Sequence, residues 1–208
     1  MHLFRLFNLT LPRLVEAATL CFSRIGRYAP PLVMAEWRAL ALLLGDCGPL
    51  SHARELHLDG HGAQFGDGVL PLFLPHLHNG TLPALEVLNV QESAISDEGL
   101  GKLIEALRTS GRALVKLDVR ANPISDAGVR MLAAALADKS IRVKEALLVA
   151  GPQTSVEALE ELVKAWKGDK ASGGGVAEVG WVKPMTFEAP VTPRPEWGWA
   201  ISPPGYTR

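Results

Sequence analysis

LEVLNVQESAISDEGLGKLIEAL, residues 85–107, and LVKLDVRANPISDAGVRMLAAAL, residues 114–136, are two copies of one pattern. Leu85 aligns with Leu114, Leu88 with Leu117, Val90 with Val119, Ile95 with Ile124, Gly99 with Gly128 and Leu103 with Leu132, always 29 positions apart. A fixed period of roughly 20–50 residues marks units that cannot bury their apolar face alone and stack on one another. Each copy contains two hydrophobic periods. Leu88 and Val90 alternate around Asn89, as Leu117 and Val119 alternate around Asp118, which predicts a short strand with one buried face. Leu100, Leu103, Ile104 and Leu107, and likewise Val129, Leu132 and Leu136, recur at helical spacing. Ser96 and Ser125 fall at a helix N-cap, and each is followed by an Asp that suits the first turn. Asn122 follows the second strand, where an amide can satisfy the turning backbone, and Ser93 is its smaller counterpart.

The pattern LxxLxLxxN, followed by spaced Ile, Gly and Leu, resembles the leucine-rich repeat. Its length and helical second half are similar to the ribonuclease-inhibitor-like subclass. Two further units fit more loosely. Adding 29 to Leu114, Leu117 and Val119 gives Val143, Ala146 and Leu148. Thr154-Ser155-Val156-Glu157 then reads as a capping box, with Ala158, Leu159, Leu162, Val163 and Trp166 as an apolar stripe. Gly151 replaces the turn Asn and Gln153 the usual apolar residue, as in a terminal unit. Upstream, Leu56-His57-Leu58 reads as a strand, followed by Phe65, Gly68, Leu70, Phe73, Leu74 and Leu77; Pro71 and Pro75 are expected to interrupt this helical half. The resemblance implies an α/β fold: a short leucine-rich-repeat solenoid of about four units, with parallel strands on the concave face and helices on the convex face.

Three regions follow. Residues 1–48 read as an N-terminal helical cap, with helices at about 11–28 and 33–45 on either side of Pro30-Pro31. Leu14, Ala17, Ala18, Cys21, Phe22 and Ile25 fall on one face of the first. Residues 1–29 carry Arg5, Arg13, Arg24 and Arg27 against Glu16 alone, so a targeting segment is the alternative reading. Residues 49–167 are the repeating units. Residues 168–208 form an extended Gly/Pro/Trp-rich tail, with Gly173-Gly174-Gly175 as a hinge. Trp181, Phe187, Trp197, Trp199 and Tyr206 stand among its prolines. Disordered segments are usually poor in aromatics, so the tail reads as a strap whose rings anchor on protein. Docking back onto its own body and a free tail are the alternatives.

The chain has 208 residues, 48% of them apolar, and a net charge of −1. That charge supplies no field for nucleic acid or an acidic membrane. No apolar run approaches the roughly 18–20 residues of a membrane span. Cys21 and Cys47 are the only cysteines and read as buried thiols in a reducing compartment. An intracellular location follows, cytoplasmic (including ciliary) before mitochondrial or another organelle. Phosphate-cradling loops, a GxSxG elbow and HExxH are all missing, so neither a catalytic residue nor a cofactor is expected. His52, His57, His61, His76 and His78 cluster in sequence but match no zinc spacing; they read as loop and surface residues with no metal.

The specific residues are those between the buried leucines, in three rows: Glu55, Val87, Lys116 and Glu145; His57, Asn89, Asp118 and Leu147; Asp59, Gln91, Arg120 and Val149. Their mixed charge suits a protein partner better than a phosphate backbone. The expected function is a non-catalytic interaction module, an adaptor or accessory subunit within a multi-subunit assembly. It would bind through Glu55, His57, Val87, Asn89, Gln91, Lys116, Asp118, Arg120 and Glu145, together with Trp181, Trp197, Trp199 and Tyr206 of the tail. Small molecules and nucleic acid are disfavoured as partners. The alternative is a regulator of a small GTPase acting through the same repeats.

Overall fold

Strands of three to seven residues cannot stand alone, and here helices bring five of them side by side. The computed structural model describes residues 16–23, 32–46, 48–78 and 80–167. Its strands are β1 (Thr19–Cys21), β2 (Glu55–His57), β3 (Val87–Asn89), β4 (Ala113–Asp118) and β5 (Arg142–Leu148). Its helices are α1 (Met34–Asp46), α2 (Gly66–His78), α3 (Asp97–Ser110), α4 (Asp126–Ala137) and α5 (Val156–Lys167), with a 3-10 turn at Gly62–Gln64. The strands form one sheet in chain order, β1-β2-β3-β4-β5, and every neighbouring pair is parallel. Parallel neighbours need a crossover, and α1 to α4 supply the four, while α5 follows the last strand.

Register explains why the sheet coheres. Leu20 stands beside Leu56, Leu56 beside Leu88, Leu88 beside Leu117 and Leu117 beside Leu147. All five are at most 2% exposed, so one row of leucines crosses the whole sheet and faces the helices. Full burial of a leucine is worth about 1.5–3 kcal/mol. The row therefore supplies an apolar seam that no single three-residue strand could. Helices close it with Leu100, Leu103 and Leu107 of α3, Val129, Leu132 and Leu136 of α4, and Ala158, Leu162 and Trp166 of α5.

Four local expectations are corrected. The helix expected over 11–28 contains strand β1. Leu20 and Phe22 are buried while Cys21 is exposed, a period of two, and the Phe22 N–H donates to His57 O at 2.8 Å to extend the ladder. Helix α2 runs through Pro71 and Pro75 without a break. Pro75 is exposed and Pro71 half-buried, so neither ring is packed inside the core. The α5 cap is Ser155, whose Oγ accepts from the Ala158 N–H at 3.2 Å, whereas Thr154 bonds to Gly151. Finally, the sheet slips by one residue between Leu114 and Lys116, so Lys116 pairs with Ala146 and Asp118 with Leu148.

The Ser-Asp pairs do more than begin helices. Ser96 Oγ accepts from the Glu98 N–H and Ser125 Oγ from the Ala127 N–H, both at 3.1 Å. Each serine in turn donates to the aspartate of the preceding helix. Asp67 takes the Ser96 N–H at 3.0 Å and its hydroxyl; Asp97 takes the Ser125 N–H at 2.8 Å and its hydroxyl; Asp126 takes the Ser155 N–H at 2.6 Å and its hydroxyl at 2.7 Å. The Ser155 N–H, and then its hydroxyl, hold the Asp126 carboxyl below the usual carboxylate range. Adjacent helix starts are thus linked rung by rung.

The rungs explain two glycines. A Cβ on Gly99 would lie far inside contact distance of the Asp67 carboxylate and 2.9 Å from Ile95 Cγ2. One on Gly128 would meet the Asp97 carboxylate and stand 2.8 Å from Ile124 Cγ2. Asn122, 1% exposed, ties the strand exits in the same way. Its Oδ1 accepts from the N–H groups of Ser93 and Ile95, both at 3.0 Å, and its Nδ2 donates to Val90 O and Val119 O, both at 2.9 Å.

Two tests follow. Gly128→Ala is expected to cost about 1–3 kcal/mol in urea unfolding, while Gly101→Ala, in open space inside α3, is expected to stabilise by about 0.5–1 kcal/mol. Equal effects at the two sites would refute the steric role of the carboxylate rungs. Asn122→Ala strands several buried backbone groups, at about 1–3 kcal/mol each. A loss of 3 kcal/mol or more is expected on that basis, and a loss under about 1 kcal/mol would show that the amide is dispensable.

Candidate functional site

Because successive strand side chains point to opposite faces, the residues flanking each buried leucine lie on the face away from the helices. Pairing aligns Thr19, Glu55, Val87, Lys116 and Ala146 as one row, and Cys21, His57, Asn89, Asp118 and Leu148 as the next. Glu55, His57, Val87, Asn89, Lys116 and Asp118 therefore stand together as expected. Glu145 does not join them: it is exposed one position before the row, because of the slip before Lys116. Leu147 turns into the leucine seam and Val149 is buried, at 2% and 3% exposure. Trp181, Trp197, Trp199 and Tyr206 lie outside the described residues.

A polar network crosses this face. Thr19 Oγ1 donates to Glu55 Oε2 at 3.3 Å, and His57 Nε2 lies 3.1 Å from the same oxygen. Asn89 Nδ2 lies 3.4 Å from His57 Nδ1 and donates to Asp59 Oδ1 at 2.9 Å. His57 Nδ1 also lies 3.9 Å from Asp59 Oδ1, so the ring stands between the Glu55 and Asp59 carboxylates. Ser23 Oγ donates to Asp59 Oδ1 at 2.6 Å. Asn89 Oδ1 accepts from the Gln91 N–H at 3.1 Å, and Gln91 Oε1 accepts from Arg120 Nη2 at 3.3 Å.

The network ends in a clamp. Arg120 Nε donates to Asp118 Oδ1 at 2.9 Å and Nη2 to Asp118 Oδ2 at 2.7 Å. The Asp118 side chain is only 2% exposed, against 27% for Arg120. The hydrogen bond to Asp118 raises the Arg120 pKa above its ordinary value, so the guanidinium is charged at any physiological pH. Lys116, half-buried beside this clamp, has no ion pair among the described residues.

Cys21, expected to be buried, is exposed, and its Sγ lies 3.5 Å from Ser23 Oγ; Cys47 is outside the described residues. Among the described residues no group of three or more His, Cys, Asp or Glu is placed to hold a metal ion, and no helix is long and apolar enough to cross a membrane. Two histidines expected at the surface are buried. His61 Nε2 bonds to Phe22 O at 2.6 Å, and its ring meets Trp37 edge-on at 4.7 Å. His76 sits between α1 and α2, with Nδ1 3.4 Å from Thr81 Oγ1. Thr19 and Ser23 escaped the sequence reading because their segment reads as a helix; the alternation of Leu20 and Phe22 was the signal available.

No protein-family model matches the chain, and no curated protein matches it.

Burial pushes the His76 pKa below its ordinary value, only partly offset by a hydrogen bond to the Ala41 backbone. The unfolded chain therefore takes up this proton at higher pH than the folded protein does. This contribution to stability is complete above the ordinary histidine pKa and declines as pH falls below it. The urea midpoint is expected to fall more between pH 7 and pH 5 in the wild-type protein than in His76→Gln. Parallel pH profiles would show that His76 is protonated equally in both states.

Proposed function

We propose that the chain is a short leucine-rich-repeat solenoid of the ribonuclease-inhibitor-like kind, and a non-catalytic protein-binding module. The solenoid reading is supported by the 29-residue period in sequence, by leucines standing side by side at that period, and by carboxylate rungs joining successive helix starts. In that architecture the helix-free face of the sheet is the concave binding surface.

The observation that carries the binding role is the Asp118–Arg120 clamp, joined through Gln91 and Asn89 to His57 and Asp59. A surface whose polar side chains already hold one another loses little side-chain entropy on association, which favours binding without rearrangement. Its signs are mixed, with Glu55 and Asp59 toward β1 and Lys116 and Arg120 toward β4, complementary to a protein surface carrying both charges. The C-terminal tail adds aromatic anchors in Trp197, Trp199 and Tyr206, which suits an adaptor or an accessory subunit of a larger assembly.

The test is recovery of native complexes by the tagged full-length chain. Lys116→Glu is expected to reduce co-purified partner by roughly tenfold or more, as for a central charged contact, whereas Arg130→Glu on the exposed surface of α4 leaves it unchanged. Equal recovery in both variants would remove the strand face from the interface. Loss in Arg130→Glu alone would place binding on the helices.

A further inference from the structure

Helices α1 and α2 leave a cavity of about 470 Å³ open between them. It is lined by Ala41, Leu42 and Gly45 of α1 and by Pro71, Leu72, Pro75 and His76 of α2. Leu42 is 67% exposed, the highest value among the described large apolar residues exposed at the surface. Arg38 and Asp46 stand at opposite ends of the α1 wall. Neither forms an ion pair among the described residues. They are eight residues apart, about 12 Å along a helix. The groove thus presents an apolar trough with a positive end and a negative end.

We propose that this groove seats the chain's own segment Lys183-Pro184-Met185-Thr186-Phe187-Glu188. That segment lies outside the described residues, and three features of the chain favour it. Its composition is complementary: a basic residue, apolar Pro184, Met185 and Phe187, then an acidic residue. Its length fits, since five proline-type steps span about 15 Å. Its reach and direction fit as well. The strands are all parallel, so the helices run in a common direction, and Lys167 and Asp46 lie at the same end of the helical layer. Sixteen residues from Lys167 to Lys183 extend roughly 50 Å, whereas three helix spacings from α5 to α2 are roughly 25–30 Å. A tail arriving from α5 meets Asp46 first with Lys183, lays Met185 and Phe187 over Leu42, and brings Glu188 to Arg38. The contact would clasp the first helix pair to the last while leaving Trp197, Trp199 and Tyr206 beyond it. It does not depend on the strand-face reading, which has its own test above.

The experiment uses the full chain with Phe187→p-benzoylphenylalanine, irradiated as a dilute monomer, the cross-linked peptides being mapped by mass spectrometry. Links within one chain to residues 38–46 or 71–76 are expected. Leu42→Glu should lower their yield several-fold; because Leu42 is exposed, its unfolding midpoint should stay near that of the parent. Asp46→Lys should also lower the yield, and adding Lys183→Asp should restore it. Links elsewhere on the chain, links only between copies, no links, or a yield indifferent to Leu42→Glu would each overturn the proposal.

Discussion

A parallel strand of three residues buries too little to hold itself, and everything here answers that constraint. The response is the leucine row Leu20–Leu56–Leu88–Leu117–Leu147, which exists only when all five strands are in register. A slip by one residue would turn every leucine to the opposite face. The sheet is therefore held less by the propensity of any strand than by the agreement of neighbours. The helices enforce that agreement, because Asp67, Asp97 and Asp126 each reach the serine that opens the next helix. Register at the sheet and register at the helix starts are set by two chemistries, apolar packing and hydrogen bonding to carboxylates.

The same arrangement decides what can appear on the opposite face. The three-residue strands present only two outward side chains each, so contacts that cross from strand to strand join residues far apart in sequence. Thr19 and Glu55 are separated by 36 positions, and Gln91 and Arg120 by 29. A change of strand register would dismantle the network along with the leucine row. The rigidity of the face is thus inherited from the core beneath it.

Most of the α/β framework was legible in the sequence, because the copies at 85–107 and 114–136 state strand, turn, cap and helix in order. The strand-face residues were legible for the same reason, down to Lys116, Asp118 and Arg120. Two parts were not. Leu20 and Phe22 alternate for only three residues, too few to outweigh a helical reading of their surroundings. The irregularity before Lys116 moves Glu145 out of its row, and an alignment at constant offset has no way to register an inserted residue. The aspartates were read as helix-dipole partners, but their larger role is with the following helix, a relation visible only across the fold.

The carboxylate rungs also carry a direction. Ser96 and Ser125 are each followed by the aspartate that serves the next serine, but Ser155 is followed by Val156, exposed at 52%. The last helix start is received by its predecessor and offers no carboxylate onward. The series of rungs therefore ends at a single side chain, Val156, which stands where Asp97 and Asp126 stand in the two preceding helix starts. An engineer wishing to append another unit would begin by giving position 156 a carboxylate.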